Sequence, residues 1–193
     1  MLRRAPAPGH DRALPRARLR RLIRRLAETV RGAHASASDQ AWVASLLQPA
    51  ELDLWSRLSG RDQHHGVQVA RSVERRLAGT PYAGDARWLG AALLHDVGKV
   101  EAGLGTLERA LATLLGKATS VSTARRWAVA DGGARRRLGL YLTHGSAGAA
   151  AIRAAGGREE IAAWAEVHQG LPCPELKLLP GPVVQALSDA DLE

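Results

Sequence analysis

At 193 residues, with 46% apolar content and a formal net charge of +8, the chain is long enough to bury one substantial core and too short for a second of ordinary size. No apolar stretch approaches the ~20 residues of a membrane-spanning helix. The N-terminus lacks the apolar centre of a secretory signal, and the lone cysteine, Cys173, has no partner for an internal disulfide, so a reducing, cytoplasmic setting is expected.

Phenylalanine is absent and alternating runs of Val, Ile and Thr are scarce, which disfavours a sheet and predicts an all-α protein. Nine arginines crowd the first 25 residues, among Pro6, Pro8 and Pro15. Residues 1–35 therefore read as a basic, partly disordered extension. Leu19, Leu22, Ile23, Leu26 and Val30 recur at helical spacing and predict a short amphipathic helix from about Arg16. Such a block either neutralises the phosphates of nucleic acid or of an anionic membrane, or is simply a solvated tail.

Residues 36–193 read as a single helical domain. Ser38 or Asp39 is placed to cap a helix carrying Trp42, Val43, Leu46 and Leu47, and Pro49 suits the first turn of the next, to Leu58. A break over Gly60–Asp62 precedes a longer helix, Gln63–Leu77. Gly79, Pro81 and Gly84 mark a turn before a helix from Asp85 to Val97, stopped by Gly98. Further helical patterns cover Thr106–Lys117, the Ser120–Asp131 region, Ala134–Leu142, Gly145–Ala155, Arg158–His168 and Val183–Leu192.

Positions three and four apart share a helix face, so the pattern shows which polar side chains turn toward the core. His65 lies on the stripe of Val69 and Val73, whereas His64 aligns with Gln68, Arg71 and Arg75 and is expected to face water. His95 follows Trp88, Ala91 and Ala92, and Asp96 follows Leu89 and Leu93. His144 continues the face of Leu140, and His168 that of Ile161, Trp164 and Ala165. Near the C-terminus Asp191 aligns with Val184 and Leu187, while the alternative, Asp189, aligns with Gln185. Each of these groups is costly to bury alone. Imidazoles and carboxylates are the ligand set of zinc, manganese and iron, and five core-facing segments supplying them suggest a shared divalent cation.

The ordered motifs His65-Gly66-Val67-Gln68-Val69-Ala70, Leu93-Leu94-His95-Asp96-Val97-Gly98-Lys99 and Ala190-Asp191 resemble the HD-domain superfamily over roughly residues 40 to 193. The resemblance implies a compact helical bundle in which His65, His95, Asp96 and Asp191 bind a first metal. His144 and His168 would complete a second site bridged by Asp96. One or two ions are implied, with Fe, Mn, Zn and Mg all open. The implied activity is hydrolysis of a phosphate ester (a nucleotide, a phosphomonoester or a cyclic dinucleotide) by metal-activated water, with Asp96 and Lys99 as the catalytic pair and Lys99 offering its ammonium to the substrate phosphate. Where some binuclear relatives have two consecutive histidines, this chain has His168-Gln169. A different class stays open beside the enzyme: a non-catalytic metal-binding module whose basic tail recruits nucleic acid, a membrane or a protein partner.

Overall fold

The computed structural model describes residues 34–116, 118–169 and 177–192. The helix expected near Arg16 and the lone Cys173 lie outside these residues. Among the described residues every regular element is helical, in the order α1 Ala37–Leu46, α2 Pro49–Ser56, α3 Gly60–Leu77, α4 Ala86–Leu94, α5 Lys99–Ala102, α6 Thr106–Gly116, α7 Val121–Ala128, α8 Gly133–Leu142, α9 His144–Ala154, α10 Glu159–Val167 and α11 Gly181–Asp191.

Local chemistry explains several boundaries that differ from expectation. The cap of α1 is Ser36, not Ser38 or Asp39. The Asp39 amide donates to Ser36 Oγ at 3.1 Å and the Ser36 amide donates to the Asp39 carboxylate at 3.2 Å, a reciprocal pair that satisfies two otherwise orphaned donors. Gly60–Asp62 is not a break but the first turn of α3. Ser59 caps that turn, accepting from the Asp62 amide at 3.2 Å and donating to its carboxylate at 2.7 Å. Asp62 is buried there because Arg109 of α6 reaches it at 2.5 Å.

The helix expected to run to Val97 ends at Leu94, and a tight turn leads into the short α5, which the periodicity did not predict. A Cβ on Gly98 would lie 1.9 Å from the His144 carbonyl oxygen, so only glycine lets this turn pass so close to the start of α9.

The fold is organised around α4. Every residue from Trp88 to Gly98 is buried, because α1, α2, α3, α10 and α11 all pack on α4. Helix α3 meets it closely: a Cβ on Gly66 would approach the Leu93 carbonyl oxygen to 2.9 Å. Leu93 and Leu94 of α4, Ile152 of α9, Ile161 of α10 and Leu187 of α11 are among the fully buried side chains, each worth roughly 1.5–3 kcal/mol of apolar burial.

A buried ion pair ties the first half of the bundle to the last. Glu51 of α2 is fully enclosed. It accepts from the Gln48 amide at 2.9 Å, from the Arg158 amide and Nε at 2.9 Å each, and from Arg158 Nη2 at 2.5 Å. These four charge-assisted contacts hold its carboxyl below the usual range, against the burial that would raise it.

A third layer, α6 to α8, lies to one side. Helices α6 and α7 pack on α8, which also meets α5 and α9. No described helix is long and apolar enough to cross a membrane.

Candidate metal centre

The six side chains singled out in the sequence come together, and five of them sit at or beside a helix end. His95 caps the C-terminus of α4 and Asp96 follows it in the turn. His144 opens α9, His168 caps α10, and Asp191 ends α11. His65 alone projects from mid-helix, in α3. The ligating atoms form two groups, each within 4.8 Å: His65, His95 and Asp191, and then Asp96, His144 and His168.

Asp191 Oδ1 lies 3.3 Å from both His65 Nε2 and His95 Nε2. Asp96 stands between the groups. Its Oδ2 is 3.4 Å from His95 Nε2, and its Oδ1 is 3.0 Å from His144 Nε2 and 3.7 Å from His168 Nε2.

The tautomers follow from the other ring nitrogens. Nδ1 of His95, His144 and His168 contacts the carbonyl oxygens of Ala92, Tyr141 and Ala165 at 2.8, 2.6 and 2.7 Å. A carbonyl only accepts, so each Nδ1 carries the hydrogen, and Nε2 is the atom that each ring, once neutral, can offer to a cation as a lone pair. His144 Nε2 and His168 Nε2 stand 3.2 Å apart. Two lone pairs at that distance repel unless a proton or a cation lies between them. Bare imidazole nitrogens and two carboxylates, oriented by bonds on their far sides, are the donor chemistry of a divalent transition metal, and the residues therefore fit one.

The electrostatics point the same way. Burial opposes charge on His95, but the facing Asp96 and Asp191 carboxylates outweigh it and lift the imidazole to about 10. Burial and the neighbouring His95 and His144 push His168 down to about 3. Burial would raise Asp96, yet His95, His144 and Lys99 hold it well below the usual range. Asp191 is lowered likewise by its bonds to His65 and His95. Without a metal the cluster thus holds a proton on His95 as its cation, a place that a metal would contest.

Lys99, in the first turn of α5, reaches Asp96 Oδ2 at 2.5 Å. The cluster forms the floor of a cleft of about 530 Å³, also walled by Thr113 and Gly116 of α6, Tyr141 and Leu142 of α8, and Gln169. Sequence reasoning did not single out these α6 and α8 residues. Their helices carry no motif, and only the packing of α6 on α8, and of α8 on α5 and α9, turns them to the cleft. Tyr141 Oη and Thr113 Oγ1 are 3.3 Å apart across it. Gln169 accepts from the Gly145 amide at 3.1 Å and lies against the His144 ring, so it buttresses the start of α9.

Two neighbours of the predicted ligands behave differently. Asp189 turns away to Arg76 and Gln185. His64, expected to face water, is half-buried, and its Nδ1 is enclosed without a hydrogen-bond partner among the described residues. Arg71, on the same side of α3, stacks 3.4 Å above the ring of Trp42 in α1.

Compared with known proteins, the chain matches no protein-family model, no curated protein and no solved structure.

Proposed function

We propose that this chain is a metal-dependent phosphohydrolase of the HD-domain superfamily. The reading rests on one observation above the others: His95, His144 and His168 turn their Nε2 atoms toward a carboxylate, Asp96, that touches both groups of ligand atoms beside an open cleft. His65, His95 and Asp191 would hold one cation, and Asp96, His144 and His168 a second. A divalent metal there supplies Lewis acidity, acidifying water and neutralising charge on phosphoryl oxygens.

The remaining roles belong to the protein. Two carboxylates without a compensating cation repel an anionic ester, so this cleft favours phosphate once the triads are filled. Lys99 adds a fixed positive charge at the Asp96 side, as a point charge rather than a bidentate fork. The Tyr141 and Thr113 hydroxyls offer neutral donors to the non-reacting part of a substrate, and Leu142 narrows the cleft beside His144. The Nδ1 bonds to helix carbonyls keep the three rings from rotating, so the ligand atoms are pre-oriented before anything binds.

Elemental analysis of the purified protein, together with a panel of phosphate esters offered to wild type and to Asp96→Ala, tests this reading. Bound metal with turnover that disappears in the variant is expected. Metal without any Asp96-dependent turnover would instead identify a module that binds metal and does not hydrolyse.

A further inference from the structure

Among the described residues, nothing covers the outer face of α6, and the metal centre does not account for it. Leu107, Leu111, Leu114 and Leu115 are 79, 60, 64 and 54% exposed. Their spacing of four, three and one places them on a single stripe of the helix, while Ala112 on another face is buried and Thr113 and Gly116 wall the cleft. Scattered surface leucines need no explanation, but four in an eleven-residue helix form a contiguous apolar face.

The same layer is strongly basic. Between Val121 and Leu142 five arginines stand against one acid, Asp131, and Arg125, Arg126, Arg135 and Arg136 are exposed on α7 and α8. Glu108, on α6 itself, is already held by Arg137 at 2.9 Å.

These two features together select an occupant. A second copy of the chain would cover the leucines but bring arginines against arginines. Nucleic acid would take the arginines and leave the leucines in water. An anionic lipid surface satisfies both, with the leucines at the acyl boundary and the guanidiniums among the headgroups. We propose that α6, together with the exposed arginines of α7 and of α8, the helix on which both α6 and α7 pack, is a docking face for anionic membrane. Because Thr113 and Gly116 of the same helix line the cleft, docking holds the metal centre within about one helix diameter, ~10 Å, of the headgroups. The proposal does not depend on which reaction, if any, the cleft performs.

The test is vesicle co-sedimentation of the full chain with phosphatidylcholine alone and with phosphatidylcholine containing phosphatidylglycerol. Wild type should partition onto the anionic vesicles and not onto the neutral ones. Leu111→Gln combined with Leu114→Gln should weaken that partition by about tenfold or more, since two leucines lose their burial. The Arg125→Gln, Arg126→Gln, Arg135→Gln, Arg136→Gln variant should weaken it by about tenfold or more and flatten its salt dependence. All these positions are exposed, and unchanged circular dichroism and metal content would verify the fold. Three results would overturn the proposal: no partition of the full chain, partition that ignores the leucine substitutions and so belongs to the arginine-rich N-terminal segment, or a wild-type dimer that light scattering shows dissociating in the leucine variant.

Discussion

Replacing Asp96 with asparagine keeps the size of the side chain and one acceptor oxygen but removes the charge that faces both groups of ligand atoms. In the structure that carboxylate faces His144 at 3.0 Å, His95 at 3.4 Å, His168 at 3.7 Å and Lys99 at 2.5 Å, so no other single group touches as much of the centre. A ligand bound only by the folded state adds about 4 kcal/mol of stability at a thousandfold excess over its Kd. For a chain of this size each kcal/mol moves Tm by about 2–4 °C, so saturating metal should raise Tm by about 8–16 °C. Calorimetric scans of wild type and Asp96→Asn, stripped with chelator and then titrated with Mn or Zn, measure the difference, and elemental analysis counts the ions retained. Wild type should show the full increment. The variant should lose most of it and retain less than half the metal, with an unchanged circular dichroism spectrum in the metal-free form. A variant that keeps both the increment and the metal would show that Asp96 is no ligand and that the cluster is an ordinary buried hydrogen-bond network.

The metal-free protein should be most stable near pH 6.5. His95 is raised to about 10, so its contribution is complete below the unfolded value of about 6.5 and is lost as pH rises toward 10. His168 is depressed to about 3, so its neutral form costs stability as pH falls below about 6.5. Urea denaturation across pH checks both slopes. Metal binding near pH 7.5 should accordingly release about one proton, from His95 and none from His168, read by calorimetry in buffers of different ionisation enthalpy.

Glu51→Gln should cost about 3–5 kcal/mol, because it leaves the Arg158 guanidinium largely uncompensated in the bundle. Metal stoichiometry should not change, and a loss of metal in the folded variant would show that the pair supports the centre. Lys99→Met should leave metal content intact while lowering turnover of any phosphate ester cleaved by about tenfold or more; unchanged kinetics would assign Lys99 to Asp96 alone.

Much of the architecture was legible because helical periodicity is a local property. The all-helical class and most of the segments follow from residues three and four apart, and the same arithmetic turned His65, His95, His144 and His168 toward one interior. The boundaries that moved are those where tertiary contact overrode local preference. Gly60 begins a helix because Asp62, in its first turn, is buried against Arg109 from α6. The α4 segment stops at Leu94, and the turn after it passes too near the His144 carbonyl for any side chain at Gly98. Likewise His64, polar by its neighbours on α3, is half-buried, and Arg71 on the same side of α3 stacks on Trp42 of α1.

The cleft walls show where sequence reading stops. Thr113 and Tyr141 belong to no motif, and each acquires its place from a helix packed against a distant one. By itself, the order of residues determines which face of each helix carries an imidazole or a carboxylate, since that depends only on a rotation of about 100° per residue. Only the tertiary structure decided that these faces meet, that Asp96 touches both groups of ligand atoms, and that a leucine stripe on α6 is exposed among the described residues. Distances between helices are set by how side chains far apart in the chain fill the space between them.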